Sequence, residues 1–290
     1  MTRPLDGIRV LDFTRHMAGP YGTMLLSDYG ADVIKVESLP HGDGSRQVGT
    51  AFVGDESALF LMWNRGKRSL AIDLRTPEGL EAVTRLAAQA DVVFTSYRPG
   101  VADKIGIGHA SLSAVNDQLV YVAVSAFGDQ GPLAPFPGTD PVVQAMSGVM
   151  SVTGEADRGP SLVGVPMADF TGAMVGAQAA MLGLFARDRT GKGQFIDVSM
   201  LYALMSSLTT RLASHWVDGE DPPRHGSAHS VVVPYEAFET SDGHVVAGVW
   251  GGADGWERFC RAIDEPELAT DERYLTNEQR VAARPELTAH

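Results

Sequence analysis

Residues 8–37 read "IRVLDFTRHMAGPYGTMLLSDYGADVIKVE", and they decide the fold. "IRVLDF" is a short apolar, β-branched run of strand length. "TRHMAGP" interrupts it as a loop with Gly19 and Pro20. "YGTMLLSDYG" has the apolar content of a helix closing near Gly30, and "ADVIKVE" is the next strand. Two strands joined through a helix run parallel, with a right-handed crossover. The unit then recurs. "SLAIDL" is a strand and "TPEGLEAVTRLAAQA" a helix, with Thr76 suited to the N-cap, Pro77 to the first helical position, and Leu80, Val83 and Leu86 on one face. "DVVFTSY" and "LVYVAVSAF" are further strands. The alternation predicts the α/β class: an open parallel sheet with helices on both faces.

After residue 140 the pattern changes. "PVVQAMSGVMSVTG" and "DFTGAMVGAQAAMLGLFARDRTG" read as buried helices rich in Gly, Ala and Met. "GQFIDVSM" is a strand and "LYALMSSLTTRLASHW" a helix. The polar, turn-rich "VDGEDPPRHGSAHS" marks a boundary. "YEAFETSDGHVVAGVW" is a β-hairpin with Asp242-Gly243 near its turn, and "GWERFCRAI" is a helix. The expected division is a large domain over residues 1–224 and a small α+β domain over 225–290.

The chain has 290 residues and a net charge of −13, which argues against nucleic acid or an anionic membrane as partner. Its longest apolar run, about 15 residues with Gln178 inside, is short for a membrane span. Cys260 is the single cysteine, so no internal disulfide forms. The N-terminus "MTRPLDGIRV" lacks the apolar core of a signal peptide. Together these predict a cytoplasmic protein.

Ligands of open parallel sheets bind beyond the carboxyl ends of the strands. The loops there carry Arg15, Arg46, Arg75 and Arg98, a basic cluster in an acidic chain that points to a phosphorylated ligand. The first loop is no GxGxxG fingerprint, so Glu37 at the end of the second strand is a weak sign of a dinucleotide. No Cys/His spacing suits zinc, and Pro222, Pro223 and Gly226 keep His225 and His229 off one helix face, so no metal is expected. No GxSxG elbow occurs. One acid remains unexplained. Asp169 stands in "GVPMADFTGAM" with no other charge within six residues. It is either the N-cap of the helix that follows or a nucleophile.

"LDGIRVLDFTRHMAGPYGTMLLSDYGADVIKVE", "WNRGKRSLAIDLRTPEG", "ADVVFTSYRPG", "FGDQGPL", "DPVVQAMSGVMSVTGE", "VPMADFTGAM", "GKGQFIDVSM" and "VPYEAFETSDGHVV" together resemble the family III CoA-transferases, a group that includes formyl-CoA and carnitine CoA-transferases and α-methylacyl-CoA racemases. The matches span nearly the whole chain in order. The resemblance implies a Rossmann-like large domain, a small domain, and two chains threaded into an interlocked homodimer. A C-terminal part that returns to the large domain in the family is absent from this sequence.

The resemblance also implies site roles. Asp169 falls on the nucleophilic aspartate, which moves CoA between an acyl-CoA and a small carboxylic acid through a mixed anhydride and an aspartyl-CoA thioester. With an ordinary aspartate pKa near 3.9, that carboxylate would be ionised at neutral pH without a general base. CoA contacts are implied at Met17, Ala18, Ile72, Asp73, Leu74, Arg75, Ser96, Tyr97, Arg98 and Lys104, with CoA serving as substrate and no other cofactor. His16, Asp140, Gly226 and His229 are candidate substrate contacts. Family racemases place a His–Asp pair where this chain has Thr139 and Asp140, and threonine is no base, so transfer is expected over racemisation. A non-catalytic CoA-binding role is the remaining alternative.

Overall fold

The structure, a computed structural model, describes residues 2–250 and 253–290. They form two compact units: residues up to Val149 with Leu162–Gly219, and Met150–Ser161 with Glu220–His290. The sequence division at 224/225 therefore differs at two points. The chain leaves the first unit five residues earlier, and residues 150–161 belong with the second, where Arg224 donates to the carbonyls of Glu155 and Arg158.

The first unit runs β1 (Arg9–Phe13), α1 (Ala18–Asp28), β2 (Asp32–Glu37), β3 (Phe52–Val53), β4 (Glu56–Ser57), α2 (Ala58–Asn64), β5 (Arg68–Ala71), α3 (Pro77–Ala87), β6 (Val92–Thr95), α4 (Val101–Ile105), α5 (His109–Ser113), β7 (Val120–Ser125), α6 (Asp140–Ser147), α7 (Met167–Thr190), β8 (Gln194–Ser199), α8 (Met200–Met205) and α9 (Thr209–Asp218). Six strands form one sheet in the order β5-β2-β1-β6-β7-β8, with every pairing parallel. The strand order reverses between β1 and β6, so a crevice opens beyond their carboxyl ends.

Local chemistry accounts for the elements. Thr76 Oγ1 accepts from the Gly79 amide at 3.1 Å and Pro77 opens α3, as its sequence predicts. Leu80, Val83 and Leu86 then face the core on one side of the sheet, with Leu11, Phe13, Val36 and Val93. The other side is covered by α1 and α7, which pack together. The buried edge of α7 is small: Gly172, Ala173, Gly176, Ala177, Ala180 and Gly183. A Cβ on Gly176 would lie 2.6 Å from the Phe94 ring. The expectation of a wholly buried helix is corrected here. Met174, Leu182 and Phe185 on the same helix are 58%, 57% and 55% exposed. Small side chains and Leu184 bring α7 close to the sheet, while Met174, Leu182 and Phe185 point away. The first of the two expected buried helices is also shorter, ending at Gly148 in the left-handed region (φ 87°).

The second unit holds β9 (Tyr235–Thr240), β10 (Gly243–Gly248), α10 (Ala253–Ala262), α11 (Asn277–Ala282) and α12 (Arg284–Ala289). The hairpin turns through Ser241 and Asp242 as the sequence predicts, with Gly243 paired to Thr240. Trp256, Cys260, Leu268 and Tyr274 form a separate small core. The guanidinium of buried Arg280 donates to the carbonyls of Val233 and Tyr274, both at 2.8 Å, and lies over the Trp256 ring.

Candidate active site at the strand-order reversal

Asp169 is the third residue of α7, not its cap. The N-cap position is Pro166, which has no capping side chain. The free amides of that helix end are satisfied from elsewhere. Asp140, at the first position of α6, accepts from Ala168 N at 2.7 Å and Asp169 N at 3.3 Å through Oδ1. Its Oδ2 accepts from Gln144 Nε2 at 2.7 Å. Buried Gln144 also takes the Val163 amide at 2.9 Å, so one α6 face laces down the loop before Asp169. Asp140 thus uses the helix-end donors that would otherwise favour a second carboxylate.

The Asp169 carboxylate has no hydrogen-bonding partner among the described residues. Burial, and then the charge of Asp140, push it up to about 7. This corrects the expectation of a carboxylate fully ionised at neutral pH. The sequence neighbours Val165, Pro166, Met167 and Phe170 suggest the burial, but Asp140 comes from another helix and is invisible locally.

Asp169 lines a cavity of about 300 Å³ at the reversal point. The loop after β1 contributes Arg15, His16, Met17 and Ala18; the loop after β6 contributes Ser96, Tyr97, Arg98 and Pro99. Apolar wall comes from Ala126, Phe127, Phe136 and Met200, and Thr139 and Asp140 complete it. Seven expected contacts, His16, Met17, Ala18, Ser96, Tyr97, Arg98 and Asp140, are thereby brought together with Asp169. Ile72, Asp73, Leu74, Arg75 and Lys104 do not line this cavity. Ile72 and Leu74 pack on the core, and exposed Lys104 sits on α4. The Arg75 guanidinium, expected to be free for a phosphate, is bound to Asp73 at 2.8 and 2.9 Å. Gly226 and His229 belong to the second unit, where Gly226 has φ 59° and His229 stacks on Tyr235 with centroids 5.1 Å apart.

A buried ionic lattice that sequence reasoning missed holds the β1 loop. Lys35 Nζ and Asp43 Oδ2 are 2.9 Å apart, each side chain at most 2% exposed. Lys35 also donates to the Thr14 carbonyl at 2.8 Å, and Asp43 Oδ1 accepts from the His16 amide at 3.2 Å. Asp12 accepts from Thr14 N and, at 2.9 Å, from buried Lys67. Burial works against the Asp12 anion, but the ammoniums of Lys67 and Lys35 hold its carboxyl well below the usual range. The lattice fixes His16 at φ 62°, a strained conformation for a non-glycine residue. The visible signal was Lys35 itself, a lysine inside the apolar strand "DVIKVE".

The model of the family described as "CoA-transferase family III" matches residues 5–290. The chain belongs to CoA-transferase family III. Among family III members, it is 40% identical over 285 residues to a mouse protein named succinyl-CoA:glutarate CoA-transferase, covering 98% of this chain and 65% of that one. It is 40% identical over 291 residues to succinate–glutarate CoA-transferase of Agrobacterium fabrum, covering 98% and 72%. The crystal structure of a CAIB/BAIF family protein from Brucella suis superposes with a TM-score of 0.88 at 41% identity, covering 100% of this chain and 77% of that one. The chain thus spans 65% of the length of the mouse relative.

Proposed function

We propose that this chain transfers CoA from an acyl-CoA to a carboxylic acid, with Asp169 as the covalent carrier. The observation that supports this most is the Asp169 carboxylate: unpartnered among the described residues, lining a cavity at the strand-order reversal, and carried on a helix end already capped by Asp140. Ionised Asp169 attacks the thioester carbonyl of the donor, breaking the C–S bond to give a mixed anhydride and CoA thiolate. The thiolate attacks the aspartyl carbonyl, forming an aspartyl-CoA thioester and releasing the donor acid as carboxylate. The acceptor carboxylate attacks that thioester and releases the thiolate again. Thiolate attack on the acceptor carbonyl then gives the new acyl-CoA and restores Asp169. Both intermediates hydrolyse readily, and the walls of Ala126, Phe127, Phe136 and Met200 help keep water out.

The acids named for the mouse and Agrobacterium relatives, succinate and glutarate, carry two carboxyl groups. We infer a small dicarboxylic acid as acceptor here as well. CoA is the only cofactor-like molecule in this reading and enters as substrate. Racemisation has less support, because Thr139 offers no basic nitrogen and Asp140 is engaged with α7. The exposed Met174, Leu182 and Phe185 of α7 support a second copy of the chain as partner. A cytoplasmic setting fits the lone cysteine, and among the described residues no helix is long and apolar enough to cross a membrane.

The direct test is trapping. Succinyl-CoA without an acceptor leaves an activated carboxylate, which hydroxylamine converts to a hydroxamate on the peptide containing "VPMADF". Asp169→Asn abolishes labelling and turnover and holds CoA affinity within a few-fold. An active Asn variant, or labelling on a different carboxylate, overturns the mechanism.

A further inference from the structure

The cavity wall holds two arginines, and among the described residues neither is paired with a carboxylate. Most arginines of the first unit are neutralised: Arg9 and Arg68 by Asp32, Arg46 by Glu37 and Glu56, Arg65 by Asp28, Arg75 by Asp73 and Arg187 by Asp91. Among the described residues, the Arg15 side chain has only the Tyr97 hydroxyl at 3.4 Å and the Tyr97 ring, whose centroid lies 5.4 Å from its Cζ. A guanidinium with five donors and one long contact, in an acidic chain, has the fork geometry to take a planar anion.

Three observations tie Arg15 to the reacting end of the cavity. Its backbone is gripped on both sides and in the middle: Thr14 by Lys35 and Asp12, Arg15 N by Ser96 Oγ at 3.0 Å, and His16 N by Asp43. Its loop runs directly into α1, which packs on α7. The two helix starts are fastened beside Asp169 itself, where Tyr21 of α1 meets Phe170 edge-to-face at 5.0 Å. Gly22, one residue on, fits so closely that a Cβ there would lie 2.9 Å from the Ala173 carbonyl oxygen. Arg15, on the loop that leads into α1, and Asp169, in the first turn of α7, are therefore tied to one packed pair of helices. Arg98 lies apart from that pair, following β6, and also borders a neighbouring cavity of about 280 Å³.

We propose that Arg15 reads the far carboxylate of a dicarboxylic acid while the near carboxylate exchanges CoA at Asp169; this rests on the transferase reading above. The fork of Arg15 matches a carboxylate two N–H groups at a time. Its rigid backbone means little order must be gained on binding. The contact selects acids by the presence of a second carboxylate and by their length. The buried lattice beneath it acts as a positioning device for this one side chain.

The test compares glutarate with pentanoate, which has the same carbon count and one carboxylate. Arg15→Gln lowers the preference for glutarate over pentanoate, as a ratio of kcat/KM with succinyl-CoA as donor, by ten- to a hundredfold, about 1.4–2.8 kcal/mol at 1.4 kcal/mol per tenfold. Arg15→Lys, which keeps the charge but not the fork, falls between. Equal losses on both acids overturn the proposal, as does a larger loss of affinity for free CoA than for glutarate. The Arg15 side chain is exposed, so a matching thermal melt of the variants is expected. Calorimetric titration of glutarate reads the contact without turnover. Binding weakened at least tenfold in Arg15→Gln supports the proposal even if Asp169 resists trapping, which would sink only the transferase reading. A wild-type chain that binds glutarate no better than pentanoate overturns it.

Discussion

At the scale of single residues, the proposed chemistry turns on the proton of Asp169. Burial and the charge of Asp140 push its carboxyl up to about 7, and in the proposed mechanism the attacking species is the carboxylate. The rate of acyl-enzyme formation should therefore rise with pH through about 7 and level off above it, as followed by stopped-flow release of CoA. Asp140→Asn removes the second cause of the shift and should move that rise to lower pH, by less than the whole displacement because burial is the larger cause. The same shift affects stability. Between pH 4 and 7 the folded chain holds a proton on Asp169 that the unfolded chain has released, so stability falls as pH rises across that window. Above 7 the cost is fully present; below 4 it is gone. Asp169→Asn should thus stabilise the fold by about 1–2 kcal/mol at pH 8 and leave it unchanged at pH 4 in chemical denaturation. The isolation of Asp169 among apolar neighbours, and its place in the family motif, were legible in the sequence. Its protonation was not, because Asp140 meets the α7 amides from 28 and 29 residues away.

At the scale of elements, strand and helix patterns were readable wherever burial follows local periodicity. Strands β1, β2, β6 and β7, the cap of α3 and the β9–β10 hairpin all lie where their own residues indicate. The failures came where partners far along the chain decide. The Gly/Ala face of α7 looks merely apolar until Phe94 is set against it. Gly176→Val should cost about 2 kcal/mol in urea unfolding, since its Cβ would press on a ring with no room to retreat. The Lys35–Asp43 pair belongs to the same class of information. Asp43→Ala strands a buried ammonium and should destabilise the chain by about 3–5 kcal/mol, measured the same way.

For the whole molecule, the parallel sheet was legible from the order of elements. The membership of residues 150–161 was not, because it depends on carbonyls that accept from Arg224 far along the chain. The outward face of α7 carries a prediction for the assembly. Light scattering should give twice the chain mass, and Leu182→Glu combined with Phe185→Ser should return a single chain. A wild-type monomer at micromolar concentration would count against that face as a subunit contact.

The strand order also sets a timetable for synthesis. β1 leaves the ribosome before the other five strands of its sheet but lies in the middle of it, with one neighbour completed by Glu37 and the other only at Val92–Thr95. β7 ends at Ser125, yet its outer partner begins at Gln194, after α6 and the whole of α7. The Asp169 helix must therefore be laid onto the sheet before the last strand can close it. Loops of this length make pairing slow, on the order of milliseconds to seconds or longer. Until β8 arrives, the Val120–Ser125 edge is unpaired and apolar, so the nascent chain passes through a window in which it depends on protection from aggregation.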